Sequence, residues 1–289
     1  MSGFMAVGTD GSAPALDAVV LAAREAEVRG LALRVVHALA RPARLPLDTV
    51  LPRAVRERFR QEADAVLDEA VLRARTTAPG VDVSGLVRPG DALGVLLEES
   101  RTAELVAVGH RGLNAFTGPL LGSTAAGLAA HARCPVLVVR VPEVPTGPIV
   151  LGLDGSPAGS AALRFAFEEA AAQRAHVVAV HAWTAWNSPL PPPTDPSEPY
   201  AYAPGQLAAE EERLLAETLA GTSDRYPDVK VERRTVQGPT RPALIEASRT
   251  ARLTVVGARG RGGFTGLLLG SVSQAVLHHA HSPVAVVRG

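Results

Sequence analysis

The chain contains one sequence pattern that occurs twice, and this repeat restricts its possible folds more than any other feature. The motif V-G-T-D-G-S, which includes Asp10, returns as L-G-L-D-G-S around Asp154, 144 positions later. A glycine that follows an apolar run, Gly109, returns as Gly257 at an offset of 148 positions. Because the repeat spans half the chain, it predicts two domains with the same fold.

The boundary between the two copies lies in a segment with several prolines, residues 141–148. Proline cannot donate a hydrogen bond to a neighbouring strand, so this segment is typical of a linker. We therefore predict a first domain over residues 1–144 and a second over residues 145–289, each close to the usual domain size. The four extra residues of the second copy are expected within its proline-rich stretch, residues 189–204.

Each copy alternates short apolar runs with longer amphipathic ones. In the first copy, the runs that we predict as strands are residues 4–8, 31–39, 81–87, 105–109 and 136–141. The amphipathic segments between them predict helices, because their apolar residues recur with the spacing of one helix face. Apolar strands that alternate with helices favour a parallel sheet covered on both faces. The predicted fold class is α/β, with two tandem doubly wound domains, each a five-stranded parallel sheet flanked by helices.

Composition excludes several classes of function. The 29 basic and 29 acidic side chains cancel, which argues against a general attraction to nucleic acid or to an anionic membrane. Lys230 is the only lysine, so the Walker A loop and its phosphate-binding lysine are absent. The single Cys134, the lack of a signal-peptide pattern and the lack of an apolar run of about 18 residues predict a soluble, cytoplasmic protein.

The loop after the fourth predicted strand has the composition of a phosphate-binding loop. It contains Gly109 and Gly112, and after nine further residues Gly122 and Ser123 begin the next predicted helix. Glycines allow backbone N–H groups to close on an anion, and a helix N-terminus favours negative charge. The alternative is that Gly-Ser caps the helix and the other glycines form turns. The same spacing in the second copy favours the phosphate interpretation.

Taken together, these motifs resemble the universal stress protein family, in particular its ATP-binding branch. The resemblance covers nearly the whole chain twice, in the V-G-x-D-G-S opening, the V-H-A strand end, the loop G-x-x-G-x9-G-S and the closing strand C-P-V-L-V-V-R or S-P-V-A-V-V-R. The loop does not fit the Rossmann dinucleotide fingerprint, because Thr265 stands where the third glycine is required. The chain is similar to the tandem type common in actinobacteria, which implies an adenine nucleotide alpha hydrolase-like fold in each copy.

The resemblance implies one adenine nucleotide site in each copy. Asp10 and Asp154 match the aspartate that contacts the adenosine portion, and Ala38 and Ala182 match the residue whose backbone meets adenine. The other implied nucleotide-binding residues are Thr9, Gly109, Arg111, Gly112, Gly122, Ser123 and Thr124 in the first copy, and Gly257, Arg259, Gly260, Gly270, Ser271, Val272 and Ser273 in the second. For the two loop arginines, a solvated surface position is the alternative to a phosphate contact.

The two copies differ at positions that bear on nucleotide binding. Members of the family carry a hydroxyl two residues after the serine of the loop, where the second copy has Ser273 and the first has Ala125. The first copy also has Pro119 inside the loop, where the second has Leu267. If one of the two sites is weakened, we expect it to be the first.

The resemblance implies an ATP-binding stress-response or regulatory protein that acts through nucleotide-dependent conformation or partner binding, with Mg²⁺ as an accompanying ion. Two alternatives stay open: a slow Mg-dependent ATPase or phosphotransferase on the same sites, and a scaffold that no longer binds nucleotide. No catalytic motif repeats in both copies, which favours binding over turnover. The valine-rich last strands, residues 135–141 and 283–288, are expected to pair antiparallel as an internal pseudo-dimer, with a homodimer and an unknown protein partner left open.

Several further features have plain structural interpretations. The histidines within residues 278–281 resemble a metal cluster, but they end a predicted helix, where the helix dipole favours cationic side chains. His37 and His181 end apolar strands and are expected to be hydrogen-bonded structural histidines. The run Glu210–Glu212 is expected on the solvent face of a helix start, and Cys134 is expected to be a small buried residue.

Overall fold

The structure, a computed structural model, describes residues 3–40, 52–113, 121–156, 159–184, 205–260 and 268–289. The predictions made for Pro119, for Leu267 and for the proline-rich stretch at residues 189–204 lie outside these residues. Among the described residues, none of the helices combines the length and the hydrophobicity that a membrane crossing requires.

The described strands form one continuous ten-stranded sheet, to which each copy contributes five neighbouring strands. The first copy supplies β1 (Phe4–Thr9), β2 (Ala32–Leu39), β3 (Val83–Pro89), β4 (Leu105–Gly109) and β5 (Val136–Val139). The second supplies β6 (Ile149–Gly152), β7 (Val177–Trp183), β8 (Val231–Gln237), β9 (Leu253–Gly257) and β10 (Val284–Val287). The strand order is β3-β2-β1-β4-β5-β10-β9-β6-β7-β8, and all pairs within a copy are parallel. The predicted fold class is therefore confirmed.

Helices follow the strands in both copies. The first copy has α1 (Ala13–Arg29), α2 (Arg53–Thr77), α3 (Ala92–Glu99) and α4 (Ser123–His131). The second has α5 (Gly159–Gln173), α6 (Gln206–Thr218), the single turn α7 (Thr222–Arg225), α8 (Thr240–Ala247) with a 3₁₀ turn at Ser248–Thr250, and α9 (Ser271–His279). Local sequence signals set these ends, as at α1, where the Ser12 hydroxyl accepts from the Ala15 N–H and Gly30 ends the helix at φ 65°.

The core consists of two apolar layers, one on each face of the sheet. Successive residues of a strand point to opposite faces, so Met5 and Val7 join one layer while Ala6 joins the other. Each layer also includes residues of the second copy: Leu151 lies in the same layer as Met5, and Val256 lies in the same layer as Ala6. The central strands are thus buried on both faces of the sheet, which explains why their sequences are unbroken apolar runs.

The two copies join through their last strands. β5 and β10 pair antiparallel, with Val284 opposite Val138, Ala285 opposite Leu137 and the following pair in register. The expected antiparallel pairing of the valine-rich strands is therefore observed. Because the strand order reads the same from both edges of the sheet, the two copies are related by an approximate two-fold axis through this pair.

Candidate functional site

The strand order of the first copy places a crevice at one defined point. The chain leaves β1 for β2 on one side and returns to β4 on the other side of β1, so the strand order reverses between β1 and β4. In open α/β sheets, ligands bind beyond the carboxyl ends of the strands at such a reversal. Thr9 ends β1 and is followed by Asp10, and Gly109 ends β4.

The Asp10 carboxylate connects the two loops at this point. One oxygen, Oδ1, accepts from the Ser12 N–H at 3.0 Å, and Oδ2 accepts from the Leu113 N–H at 2.8 Å. Gly11 lies between Asp10 and Ser12 in the chain at φ +80°, a left-handed conformation in which a residue with a side chain would be strained. Asp10 therefore holds the turn before α1 against the loop that follows β4.

Two glycines of the loop allow this close approach. A Cβ at Gly112 would lie 2.4 Å from Asp10 Oδ2, and a Cβ at Gly109 would lie 2.6 Å from the Pro14 carbonyl oxygen. Real Cβ atoms essentially never come within 3.0 Å of such neighbours. Part of the glycine requirement thus comes from packing of the loop against the start of α1.

The start of α4 is not capped by a side chain. Gly122 occupies the N-cap position with an extended backbone, and its N–H donates to the His110 carbonyl oxygen at 2.8 Å. Ser123 is already the first residue of the helix, and no side-chain capping hydrogen bond is found among the described residues. Gly122 therefore takes the N-cap position, as the alternative of a Gly-Ser cap expects, but the serine hydroxyl does not cap the helix.

All the predicted residues of the first copy line a single cleft of about 350 Å³. They come from four separate segments of the chain and comprise Thr9, Asp10, Ala38, Gly109, Arg111, Gly112, Gly122, Ser123 and Thr124. Its volume lies within the usual range for small-molecule pockets.

Sequence reasoning missed the apolar wall of this cleft. The wall includes Val36 from β2, Leu96 from α3 and Val108 from β4, and it adjoins Ala125, which the comparison of the two copies already names. For Val36 and Val108 the signal was their position toward the carboxyl ends of parallel strands, which share one edge of the sheet, whereas no such signal marks Leu96 in its helix. Polar and apolar surfaces therefore meet in one crevice.

The second copy repeats the main contacts. Asp154 Oδ1 accepts from the Ser156 N–H at 2.9 Å, and a Cβ at Gly260 would lie 2.4 Å from Asp154 Oδ2. The Gly270 N–H donates to the Ala258 carbonyl oxygen at 2.8 Å, as at the equivalent place in the first copy. The remaining predicted residues lie at equivalent positions: Ala182 in β7, Gly257 at the end of β9, Arg259 in the loop, and Ser271, Val272 and Ser273 in the first turn of α9.

Ser273 distinguishes the second copy from the first. Its hydroxyl donates to the carbonyl oxygen of Gly257, the last residue of β9, at 2.6 Å. A hydroxyl has one hydrogen to donate, so in this arrangement Ser273 offers only acceptor capacity to a ligand. The first copy has the buried Ala125 at the same place.

Comparison with known proteins places the chain in a family. The family model described as "Universal stress protein family" matches residues 4–140 and again residues 146–288. The chain belongs to the universal stress protein family. A relative in Mycobacterium tuberculosis, universal stress protein Rv1996, is 37% identical over 300 residues that cover 98% of this chain and 94% of the relative. A relative in Mycolicibacterium smegmatis is 38% identical over 291 residues, which cover 98% and 96% of the two chains. The predicted resemblance to tandem members of the family is confirmed.

A solved structure of the family shares the whole fold. The universal stress protein from Archaeoglobus fulgidus DSM 4304 matches 100% of this chain and 99% of its own length with a TM-score of 0.72. Its sequence identity of 19% is low, so the likeness concerns the fold alone. The continuous arrangement of two copies in one chain is thus known in another universal stress protein.

The strand-end histidines of this universal stress protein are hydrogen-bonded, as predicted. His37 Nδ1 lies 2.9 Å from the Thr9 carbonyl oxygen, and His181 Nδ1 lies 2.9 Å from the Leu153 carbonyl oxygen. His181 also pairs through Nε2 with Glu211 Oε2 at 2.6 Å. The prediction that Glu211 faces solvent is wrong, because this side chain is 1% exposed and points into the protein to reach the histidine.

Two further sequence predictions concern metal binding and thiol reactivity. Among the residues that the structure describes, no three His, Cys, Asp or Glu side chains are arranged to hold a metal ion. Cys134 is buried, as expected, and burial raises the pKa of its thiol to about 11. A thiol with such a pKa holds its proton at neutral pH and is a poor nucleophile.

Proposed function

We propose that this universal stress protein binds an adenine nucleotide, ATP, in the cleft of the first copy and at the equivalent place in the second. The observation that carries the proposal is that residues from four separate segments, selected by their sequence pattern, line one cleft. In this proposal the bound nucleotide changes the conformation of the protein or its choice of partner in the response to stress.

The cleft offers suitable surfaces for each part of the nucleotide. The apolar side chains around Ala38, including Val36 and Leu96, match the faces of an adenine ring. The uncapped first turn of α4, with the hydroxyls of Ser123 and Thr124, provides donors for phosphate oxygens. We therefore assign the base to the apolar wall and the phosphates to the loop and the helix start.

Charged groups in the cleft are few, and each fits a nucleotide. Among the described residues that line it, Arg111 is the only cationic one, and a guanidinium suits phosphate oxygens. Within the same described lining Asp10 is the only carboxylate, and each of its oxygens keeps one lone pair beyond the backbone N–H that it already accepts. Mg²⁺ takes six oxygen ligands, so an ion bound beside Asp10 would take its other ligands from phosphates and water.

Isothermal titration of the full chain with ATP and Mg²⁺ tests this function. We expect saturable binding, together with adenine nucleotide that absorbs near 260 nm in the supernatant of freshly purified, denatured protein. A titration without heat and a purified protein without nucleotide would instead identify a scaffold. Release of inorganic phosphate that is lost when Asp10 and Asp154 are both replaced by alanine would extend the function to slow hydrolysis.

A further inference from the structure

A second cavity, of about 530 Å³, lies where the two copies meet and is lined by cationic side chains. The first copy contributes His110 and Arg111 from the loop after β4, and Arg140 from the residue that follows β5. The second copy contributes three histidines at the end of α9, His278, His279 and His281. No carboxylate is among the described residues that line this inter-copy cavity.

The two arginines of the inter-copy cavity differ in what holds them. Arg140 is fixed, because its Nη atoms donate to the carbonyl oxygens of Leu277, at 2.5 Å, and of Ala280. Arg111 makes no hydrogen bond or ion pair with another described residue, and its buried Nε has no acceptor. A buried guanidinium donor without an acceptor is energetically costly, so an anion in this cavity would satisfy a need that the described residues leave unmet.

Two histidines of this cluster, His110 and His278, are not a consequence of the repeat. At the two-fold related positions, 148 residues away, His110 corresponds to Ala258, and His278 corresponds to Ala130. The helix dipole accounts for histidines at the end of α9 but not for His110, which belongs to a loop of the other copy. The other cationic groups, Arg111, Arg140, His279 and His281, have cationic counterparts in Arg259, Arg288, His131 and Arg133, so His110 and His278 set this side of the two-fold axis apart.

We propose that the inter-copy cavity binds a compact anion of the oligophosphate class, held between the first copy's loop and the end of α9. Several cationic groups around one cavity match an anion with several charged oxygens, because protonated side chains pair with phosphate oxygens. Arg111 lines both this cavity and the cleft of the first copy, so the two ligands would share one side chain. The inference does not rest on nucleotide binding in the cleft.

Protonation of the histidines links this binding to pH. Burial lowers the pKa of His110, with Arg140 and Arg111 lowering it further, while the Val139 carbonyl and Asp17 raise it. Burial likewise lowers the pKa of His278, together with the neighbouring His279 and Arg140. His281 Nδ1 lies 3.0 Å from Glu143 and 3.5 Å from Arg249, so it faces one charge of each sign.

The sign of the pH effect follows from these surroundings. The cavity favours the neutral forms of His110 and His278 when it holds no anion, whereas an anion favours their protonated forms. Anion binding therefore adds protons to His110 and His278, and the contribution of these histidines to the affinity rises as the pH falls.

Titration calorimetry of the full chain with sodium tripolyphosphate tests the proposal. Tripolyphosphate itself loses charge as the pH falls, so the histidine effect is measured as the affinity of the unmodified chain relative to a variant without His110 and His278. We expect this ratio to be at least about fivefold larger at pH 6 than at pH 8. The variant His110→Ala/His278→Ala carries the residues of the other copy at both places, and we expect it to bind about tenfold more weakly at pH 6. His131→Ala removes an exposed helix-end histidine outside the cavity, and it should bind like the unmodified chain.

The outcomes separate this inference from the proposed nucleotide site. Unchanged tripolyphosphate affinity in the folded double variant, or no binding by the unmodified chain, overturns the inference whatever ATP does. Ala38→Trp fills the apolar wall of the cleft, so it should abolish ATP binding in the first copy while leaving tripolyphosphate binding intact. If the double alanine variant does not fold by circular dichroism, His110→Gln/His278→Gln replaces it, with the same expected loss.

Discussion

Arg140 and Arg288 each hydrogen-bond to the last carbonyls of a helix that belongs to the other copy. Arg140 follows β5 and donates to Leu277 and Ala280 at the end of α9, whereas Arg288 follows β10 and donates to Ala129, at 3.0 Å, and its neighbour at the end of α4. A cation at a helix C-terminus satisfies free carbonyls and opposes the helix dipole. Each arginine therefore links its own copy to a helix of the other copy, and the two contacts lie on either side of the antiparallel strand pair.

Replacing Arg288 with methionine should weaken this junction. Methionine keeps much of the apolar stem but loses the donors, so we expect the free energy of unfolding to fall by about 1–2 kcal/mol. Urea denaturation followed by circular dichroism measures the change. Arg164→Met is the matched control, because Arg164 is exposed on α5 and makes no hydrogen bond with the described residues. Equal stability of the two variants would show that the reciprocal contact contributes nothing.

The parts of this molecule that could be predicted from sequence are those with a local or repeated signal. The strands and helices follow from apolar periodicity, and the pairing of the last strands follows from two valine-rich segments that both needed a neighbour. The cleft residues were predictable because Asp10 and Gly112 belong to two motifs that the second copy repeats. The hydrogen bond that joins these motifs, from the Leu113 N–H to Asp10, is visible only in the fold.

Other features could not be predicted, because their partners lie far away in the chain. Helical spacing alone does not show which of Glu210, Glu211 and Glu212 turns inward, since that depends on His181 in a neighbouring strand. Likewise, the histidines that end α9 have a sufficient local explanation until the fold brings His110 beside them. Sequence reasoning fails at these places because the deciding contact is tertiary.

The buried pair of His181 and Glu211 should be important for the stability of the second copy. Glu211→Ala leaves the His181 Nε2 without its 2.6 Å partner, and we expect a loss of about 2–4 kcal/mol. Differential scanning calorimetry checks this, with Glu212→Ala as the control at an exposed neighbouring position of α6. A melting temperature for Glu211→Ala equal to that of the control would contradict the prediction.

Glu25 should destabilise the protein at neutral pH. It lies in α1 beside Glu169 of α5, where burial chiefly raises its pKa well above the ordinary value of 4.5, and the neighbouring Glu169 raises it further. Both carboxyls are contacted by the Gln173 amide, so the pair sits between the two copies. A neutral Glu25→Gln side chain avoids the repulsion, and we expect it to stabilise the fold at pH 7 by roughly 1 kcal/mol or more.

The pH dependence of this effect has a defined sign. Because the pKa of Glu25 is raised in the folded state, its contribution is most favourable below about pH 4.5 and is lost as the pH rises through the folded pKa. The gain from Glu25→Gln should therefore be small at pH 4.5 and larger at pH 7. Thermal melts across this range test it against Glu27→Gln, an exposed position on the same helix. A gain that does not change with pH would refute the assignment.

Substitution of one loop glycine should remove nucleotide from its own copy only. A Cβ at Gly112 or Gly260 would lie 2.4 Å from the carboxylate oxygen of Asp10 or Asp154, so valine must displace either the carboxylate or the loop and disrupt their packing. We expect Gly112→Val and Gly260→Val each to lower the ATP stoichiometry from two to one, and the double variant to abolish binding. Isothermal titration measures the stoichiometry, with Gly80→Val as the control, because a Cβ at Gly80 meets nothing within 4 Å.

If both single variants keep two sites, the loops do not hold the nucleotide. If the unmodified chain binds one ATP that only Gly260→Val removes, the first site is the weakened one, as the presence of Ala125 in place of a hydroxyl predicts.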